Sequence, residues 1–212
     1  MPERPPVVVL GRTDMLVTAM VVALRARRHT VERVATQDAL GARLVTGSRG
    51  VLVVALDERG VEVVARAVAA GWVVLAIGAD RAPRLAAAAV AAGAGGWLPE
   101  TSSFAAFVAA LDAALAGRPM MTDEQRREWL RIHDEHRETA DRLRERLDRL
   151  TGREREVLVH LAAGRRPSEI SGQLFLSITT VRTHIRSILK KLEVNSHTRA
   201  AELYRQLGAR TV

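Results

Sequence analysis

Apolar residues in the first half of the chain come in short unbroken runs, separated by longer stretches with helical spacing. Val7–Leu10, Val51–Leu56 and Val73–Ile77 are continuous, β-branched and bounded by Gly or charged residues, the pattern of buried strands. His29–Ala35 alternates instead, with Val31 and Val34 apolar, and predicts a half-buried strand; Gly96-Trp97-Leu98 supplies a short fifth one. Between them, Met15–Arg27, Gln37–Val45, Val61–Ala70, Arg81–Ala92 and Phe104–Ala116 read as helices, the last closed by Gly117-Arg118-Pro119. Strand and helix alternating five times imply a parallel sheet with helices on both faces. This α/β domain occupies residues 1–120.

The pattern changes at Thr122. Up to Leu150 the chain is dense in Asp, Glu and Arg, lacks Gly and Pro, and places many acid–base pairs three or four residues apart, such as Glu128 and Arg131. That spacing supports an exposed helix over 121–149. Trp129, His136, Leu143 and Leu150 recur every seven residues, with Ile132, Ala140 and Leu147 beside them. A solvated connecting helix and a short dimerising coiled coil both fit.

Residues 150–212 predict an all-α unit of four helices: Arg153–Ala163, stopped by Gly164; Ser168–Phe175, with Pro167 in its first turn; Ile178–Leu192, with Ser177 as N-cap; and Thr198–Leu207, capped by Asn195 or Ser196. The second and third are joined by the tight link Leu176-Ser177, the spacing of a helix-turn-helix. Val181, Ile185, Ile188 and Leu192 form the expected buried face of the third helix, which turns Arg182, Thr183, Arg186 and Lys190 elsewhere. A recognition helix presents its first turns to base edges, where arginine donates to guanine O6 and N7 and a threonine methyl packs on thymine. Ser177, Thr180, His184, Lys190 and Lys191 are placed for phosphates, which position without specifying.

Charge sharpens this picture. The 212 residues carry 32 Lys and Arg against 24 Asp and Glu, a net +8. From Thr151 onward there are eleven basic and five acidic residues, so this segment holds about six of those positive charges. Such a basic segment is the footprint of a polyanion binder. The chain has no cysteine, which excludes disulfides, thiolate metal sites and cysteine nucleophiles and fits a reducing cytoplasm. Val7–Leu10 is too short for a signal-peptide core, and no later run reaches eighteen apolar residues, so a membrane location is not expected.

Leu150-Thr-Gly-Arg-Glu-Arg-Glu-Val-Leu158, Ala163-Gly164, Glu169-Ile170, Leu174-Phe-Leu-Ser177, Thr180-Val181, Thr183-His184-Ile185 and Leu189-Lys-Lys-Leu192 together resemble the LuxR-type (NarL/FixJ) DNA-binding domain, over nearly all of Leu150–Leu203. The resemblance implies a sequence-specific transcriptional regulator of double-stranded DNA. Its third helix would enter the major groove with Arg182, Thr183 and Arg186 on the bases, and its fourth would contribute to dimer contact. Two departures are Pro167, where a polar residue is usual, and His197, where arginine is common. A homodimer on an inverted repeat is the expected assembly.

The amino-terminal segment similarly resembles the receiver domain of two-component response regulators, with Gly93-Ala-Gly-Gly-Trp97-Leu98 before the last helix. This implies a doubly wound sheet of order 2-1-3-4-5. A working receiver holds magnesium on an acidic pair, accepts phosphate on an aspartate, and adds a hydroxyl and a lysine. Here the acidic pair falls on Gly11 and Arg12, the acceptor on Ala55, the hydroxyl on Ala76 or Gly78, and the lysine on Glu100. The expectation is a degenerate receiver that acts without aspartyl phosphorylation, under control of a ligand, a partner or abundance. A displaced site on Asp57 and Asp14 is the rival. Arg12 offers either a salt bridge to one of these aspartates or a pocket for a small anionic ligand.

An enzyme is not expected. Gly93-Ala-Gly-Gly96 precedes a strand, the wrong side of the unit for a phosphate-binding loop. His133 and His136 on a charged helix read as solvated rather than metal-bound, and no cofactor is implied. A protein–protein adaptor with vestigial DNA binding is the remaining class.

Overall fold

The computed structural model describes residues 5–11, 15–45, 49–57 and 59–208. The chain divides into two compact units, Met1–Asp134 and Glu135–Val212.

The first unit runs β1 (Val7–Leu10), α1 (Met15–Ala26), β2 (Val31–Val34), α2 (Gln37–Val45), β3 (Val51–Ala55), α3 (Gly60–Ala69), β4 (Val73–Gly78), α4 (Pro83–Ala91), β5 (Gly96–Pro99) and α5 (Phe104–Leu115). Its five strands form one sheet in the order β2-β1-β3-β4-β5, every neighbouring pair parallel. Alternate residues of one strand point to opposite faces. Val7, Val9, Val51, Val53, Leu75 and Ile77 therefore pack with α1 and α5 side chains such as Leu24, Phe107 and Leu111. Val8, Leu10, Leu52, Val54, Val74 and Ala76 pack on the other side with Leu40, Val63, Val64 and Ala89 of α2, α3 and α4.

β2 corrects the reading of His29–Ala35. Val31 and Val34 are both buried while Glu32 and Arg33 between them are exposed. Three residues apart in a strand means opposite faces, so Val31 joins the α1/α5 core and Val34 the other. The strand is half-buried at its two ends, not along one side. Gly96 opens β5 where a Cβ would lie 2.8 Å from Met120 Cβ and 3.2 Å from Leu75 Cδ1, a space only glycine fits.

A single helix, α6 (Asp123–Asp148), follows. Thr122 and Gln125 cap it reciprocally: Thr122 Oγ1 accepts from Gln125 N at 3.1 Å, and Thr122 N donates to Gln125 Oε1 at 2.8 Å. Within the first unit, Trp129 meets Trp97 edge-on, with ring centroids 5.0 Å apart, and Arg126 donates to the Ala94 carbonyl at 3.4 Å. Leu147, followed by Leu150, is buried in the core of the second unit. His136, in the middle of the seven-residue pattern, is exposed. The repeat is thus shared out between two intramolecular cores.

The second unit continues with α7 (Gly152–Ala162), α8 (Pro167–Leu174), α9 (Ile178–Leu192) and α10 (His197–Gly208). Val157, Leu158, Leu161, Ile170, Val181, Ile188, Leu192 and Ala200 form its centre. Gly164, at φ +78°, ends α7, and Ser196 caps α10 through Arg199 N at 3.2 Å. Among the described residues, no helix is long and apolar enough to cross a membrane, and no group of three or more His, Cys, Asp and Glu is assembled to hold a metal.

Candidate nucleic-acid interface

α9 is oriented by four local devices. Ser177 caps it: its Oγ accepts from Thr180 N at 3.1 Å and shares a 2.8 Å bond with Thr180 Oγ1. Phe175, at the end of α8, adopts φ 53° and ψ 44°, the left-handed conformation that reverses the chain before the cap. Leu176 N donates to Ser171 O at 3.0 Å, Ser171 Oγ donates to Leu176 O at 2.6 Å, and Arg153 donates to Leu174 O at 2.6 Å. At the far end, Glu193 is the left-handed C-cap of α9, and Arg146 binds both its carboxylate at 2.6 Å and the Leu192 carbonyl at 3.4 Å.

The third device is a buried carboxylate. Glu154 in α7 is 5% exposed and is the buried charged side chain among the described residues. It closes a capping box with Thr151, donated from Thr151 N to Glu154 Oε2 at 2.8 Å. It also reaches α9, accepting from Ser187 Oγ at 2.6 Å and Lys191 Nζ at 2.7 Å. Burial pushes its pKa up, but the bonds from Lys191, Ser187 and Thr151 together outweigh that and hold it down at about 2. The carboxylate therefore stays ionised and pins α7 to α9.

The fourth is the apolar stripe. Val181, Ile188 and Leu192 are fully buried and Ile185 partly so. This leaves Arg182, Thr183, Arg186 and Lys190 on the exposed side, His184 half-buried beside them, and among the described residues no ion pair joins Arg182, Arg186 or Lys190. Thr183 Oγ1 donates to the Thr179 carbonyl at 3.0 Å, which commits its hydroxyl and leaves its methyl for outside contact.

Three of the residues expected at phosphates also bond within the unit. Lys191, about 100° round the helix from Lys190, is paired with Glu154. Ser177 and Thr180 are engaged with each other in the cap. Glu154 is not among the site residues expected from the sequence, although Thr151-x-x-Glu154 carries the capping-box spacing.

At the carboxyl ends of β1 and β3 lies a cavity of about 300 Å³, lined among others by Gly11, Gln37, Ala55, Asp57 and Gly60. Arg12 and Asp14 lie outside the described residues. Asp57 is the charged side chain among the described lining residues. Its Oδ1 accepts from Arg59 N at 3.0 Å and Gly60 N at 2.7 Å, which makes it the cap of α3. Ala76 is fully buried in the sheet, and Glu100 is exposed, its N–H bonded to the Gly78 carbonyl at 2.9 Å. Next to Glu100, Thr101 Oγ1 donates to Asp80 at 2.7 Å.

Residues 148–204 match the family model "Bacterial regulatory proteins, luxR family". The chain is 36% identical over 113 residues to "Transcriptional regulatory protein LiaR" of Bacillus subtilis, covering 53% of this chain and 51% of that protein. It is 47% identical over 58 residues to "Nitrate/nitrite response regulator protein homolog" of Haemophilus influenzae, covering 27% of this chain and 28% of that one. The chain thus spans about half the length of the first of these relatives and about a quarter of the second. Among solved structures, response regulator StyR aligns over 95% of this chain and 99% of its own at 26% identity, with a TM-score of 0.47. A structure described as "the two-component response regulator RcsB-DNA complex" aligns over 96% and 98% at 18% identity, with the same TM-score.

Proposed function

We propose that the protein, whose residues 148–204 match the luxR family model, is a sequence-specific DNA-binding transcriptional regulator that reads the major groove with α9. The observation that carries this reading is the exposed row of Arg182, Thr183, Arg186 and Lys190, left without carboxylate partners while Lys191 on the inner side is neutralised. Arg182 and Arg186 are the bidentate guanine readers, and Thr183 offers its methyl to thymine. Lys190 and His184 lie toward phosphate, with the Ser177–Thr180 cap presenting helix N-terminal amides to the same backbone. Lys191 is left out of the phosphate set. A homodimer on an inverted repeat supplies two such helices.

The amino-terminal unit acts without aspartyl phosphorylation. Ala55 and Gly11 offer no carboxylate at the cavity, and the one described there, Asp57, is a helix cap. Control passes instead through a ligand, a partner or abundance. A small anionic ligand would depend on Arg12, since the described lining contributes only the negative charge of Asp57.

Selection from a randomised duplex pool with the full chain tests the main claim. Arg182→Ala and Arg186→Ala should each cost roughly 1–3 kcal/mol and relax preference at one base pair per half-site. A uniform loss of affinity with unchanged sequence preference would place other residues on the bases.

A further inference from the structure

Between Leu174 and Val194 almost every large apolar side chain joins the core of the carboxy-terminal unit: Leu174, Leu176, Val181, Ile185, Ile188, Leu189, Leu192 and Val194. The two left outside it are Phe175, 96% exposed, and Ile178, 40% exposed. Both lie within two residues of the N-cap Ser177, at the tip of α9. Phe175 is exposed on a backbone with positive φ, where a bulky side chain is disfavoured, so the local fold gains nothing from an aromatic there. Ile178 is the first residue of α9 and precedes Arg182 by four positions, about 40° round the helix at 3.6 residues per turn. It lies only about 20° round the helix from Ile185 and Leu189, so it sits at the margin between the core stripe and the cationic row, with 40% of its surface exposed.

We infer that Ile178 is a further specificity-determining residue of this surface, selecting a thymine next to the guanine read by Arg182. The inference rests on the proposed DNA-binding role of α9. Its argument is chemical: an unpartnered aliphatic side chain in the first turn of a groove-bound helix needs an apolar neighbour. The major groove offers one such group on its base edges, the thymine C5-methyl, which cytosine, adenine and guanine lack. The surrounding positive charge keeps the occupant a nucleic acid, and Thr183, further round the helix, cannot serve the same base-pair position as Ile178.

The test uses the full chain on its selected duplex, with each thymine of a half-site replaced in turn by deoxyuridine, which lacks only the methyl. At one position the wild type should lose about fourfold in affinity, the worth of one buried methyl. Ile178→Ala should lose a similar factor on the thymine duplex and become indifferent to deoxyuridine there, with the guanine preferences of Arg182 and Arg186 intact. Thr183→Ala should keep its sensitivity at that position. Wild-type indifference to deoxyuridine at every position, or full sensitivity retained by Ile178→Ala, would overturn the assignment while leaving the guanine readers standing. A pool that yields no preferred sequence at all would overturn the DNA-reading role of α9, and this inference with it.

Discussion

On the outer side of α9, cationic side chains are held outward with no ion-pair partner among the described residues, whereas at the carboxyl edge of β1 and β3 the described charged group is turned to building the fold. Arg182 and Arg186 have no ion-pair partner among the described residues; Asp57 has two backbone amides on one oxygen. The difference shows where the two folds get their stability. The sheet is held by alternate apolar side chains packed on its two faces. Gly11 and Ala55, at the strand ends that line the cavity, add no charge to it. The carboxy-terminal unit instead uses a buried ion pair to fix the helix that carries its free cations.

The largest test of that contrast is at Glu154. Glu154→Ala leaves Lys191 and Ser187 without their acceptor and should destabilise the carboxy-terminal unit by about 3 kcal/mol. Because the folded carboxyl titrates at about 2 instead of 4.5, its contribution is complete above the unfolded value and is lost as pH falls toward the folded one. The protection of amides in α7 and α9, taken relative to their intrinsic exchange rates, should fall between about pH 4.5 and 2 in the wild type, and Glu154→Gln should flatten that dependence. An unaltered profile in Glu154→Gln would mean that the pair does not hold α9.

Lys190 and Lys191 divide the comparison within a single turn. Lys190→Ala should reduce the salt slope of DNA binding by about one unit with the fold unchanged. Lys191→Ala should leave the slope alone and cost about 1–2 kcal/mol of stability, since it removes a charged hydrogen bond to a buried acceptor. Equal salt effects for both lysines would erase the distinction between inner and outer faces.

At the other unit, Asp57→Ala should cost about 1 kcal/mol through the lost α3 cap, and Asp57→Asn much less. Trp72, Trp97 and Trp129 all lie in this unit, so tryptophan fluorescence during denaturant unfolding reads it selectively. Acetyl phosphate with magnesium should leave the mass of the protein unchanged. An acyl phosphate on Asp57 would make the cavity a working phosphorylation site.

The smallest effect is expected at Phe175. Phe175→Gly removes a side chain from a left-handed backbone position and should change stability by less than about 1 kcal/mol, relief of strain being offset by the added freedom of the unfolded chain. A loss well beyond that, measured by thermal unfolding, would show that the ring packs in the free protein.

Much of this was legible in the sequence because the signals were local. The continuous runs at Val7, Val51 and Val73 marked buried strands, Gly164 and Ser177 marked helix ends, and the core stripe of α9 followed from its spacing. The fate of Lys191 was not legible, because it depends on a partner 37 residues away in α7. Nor was that of Val31 and Val34: an alternating pattern suggests one wet side, but the sheet is covered on both. The seven-residue repeat of α6 likewise does not name its contacts, which here include Trp97 for Trp129 and the second core for Leu147 and Leu150.

The two outer strands of the sheet have a consequence for behaviour in a crowded solution. β2 and β5 each leave one row of backbone donors and acceptors unpaired with a neighbouring strand, an invitation to add a strand from another chain. Both are only four residues long. β2 presents Glu32 and Arg33 at its centre, and β5 ends on Pro99, which has no N–H to donate. An incoming strand at β2 would have to pack over two charges, and one at β5 would soon run out of partners. The sheet is thereby guarded against fibrillar growth at both margins, and replacing Glu32 and Arg33 by valine would be the direct way to remove that guard.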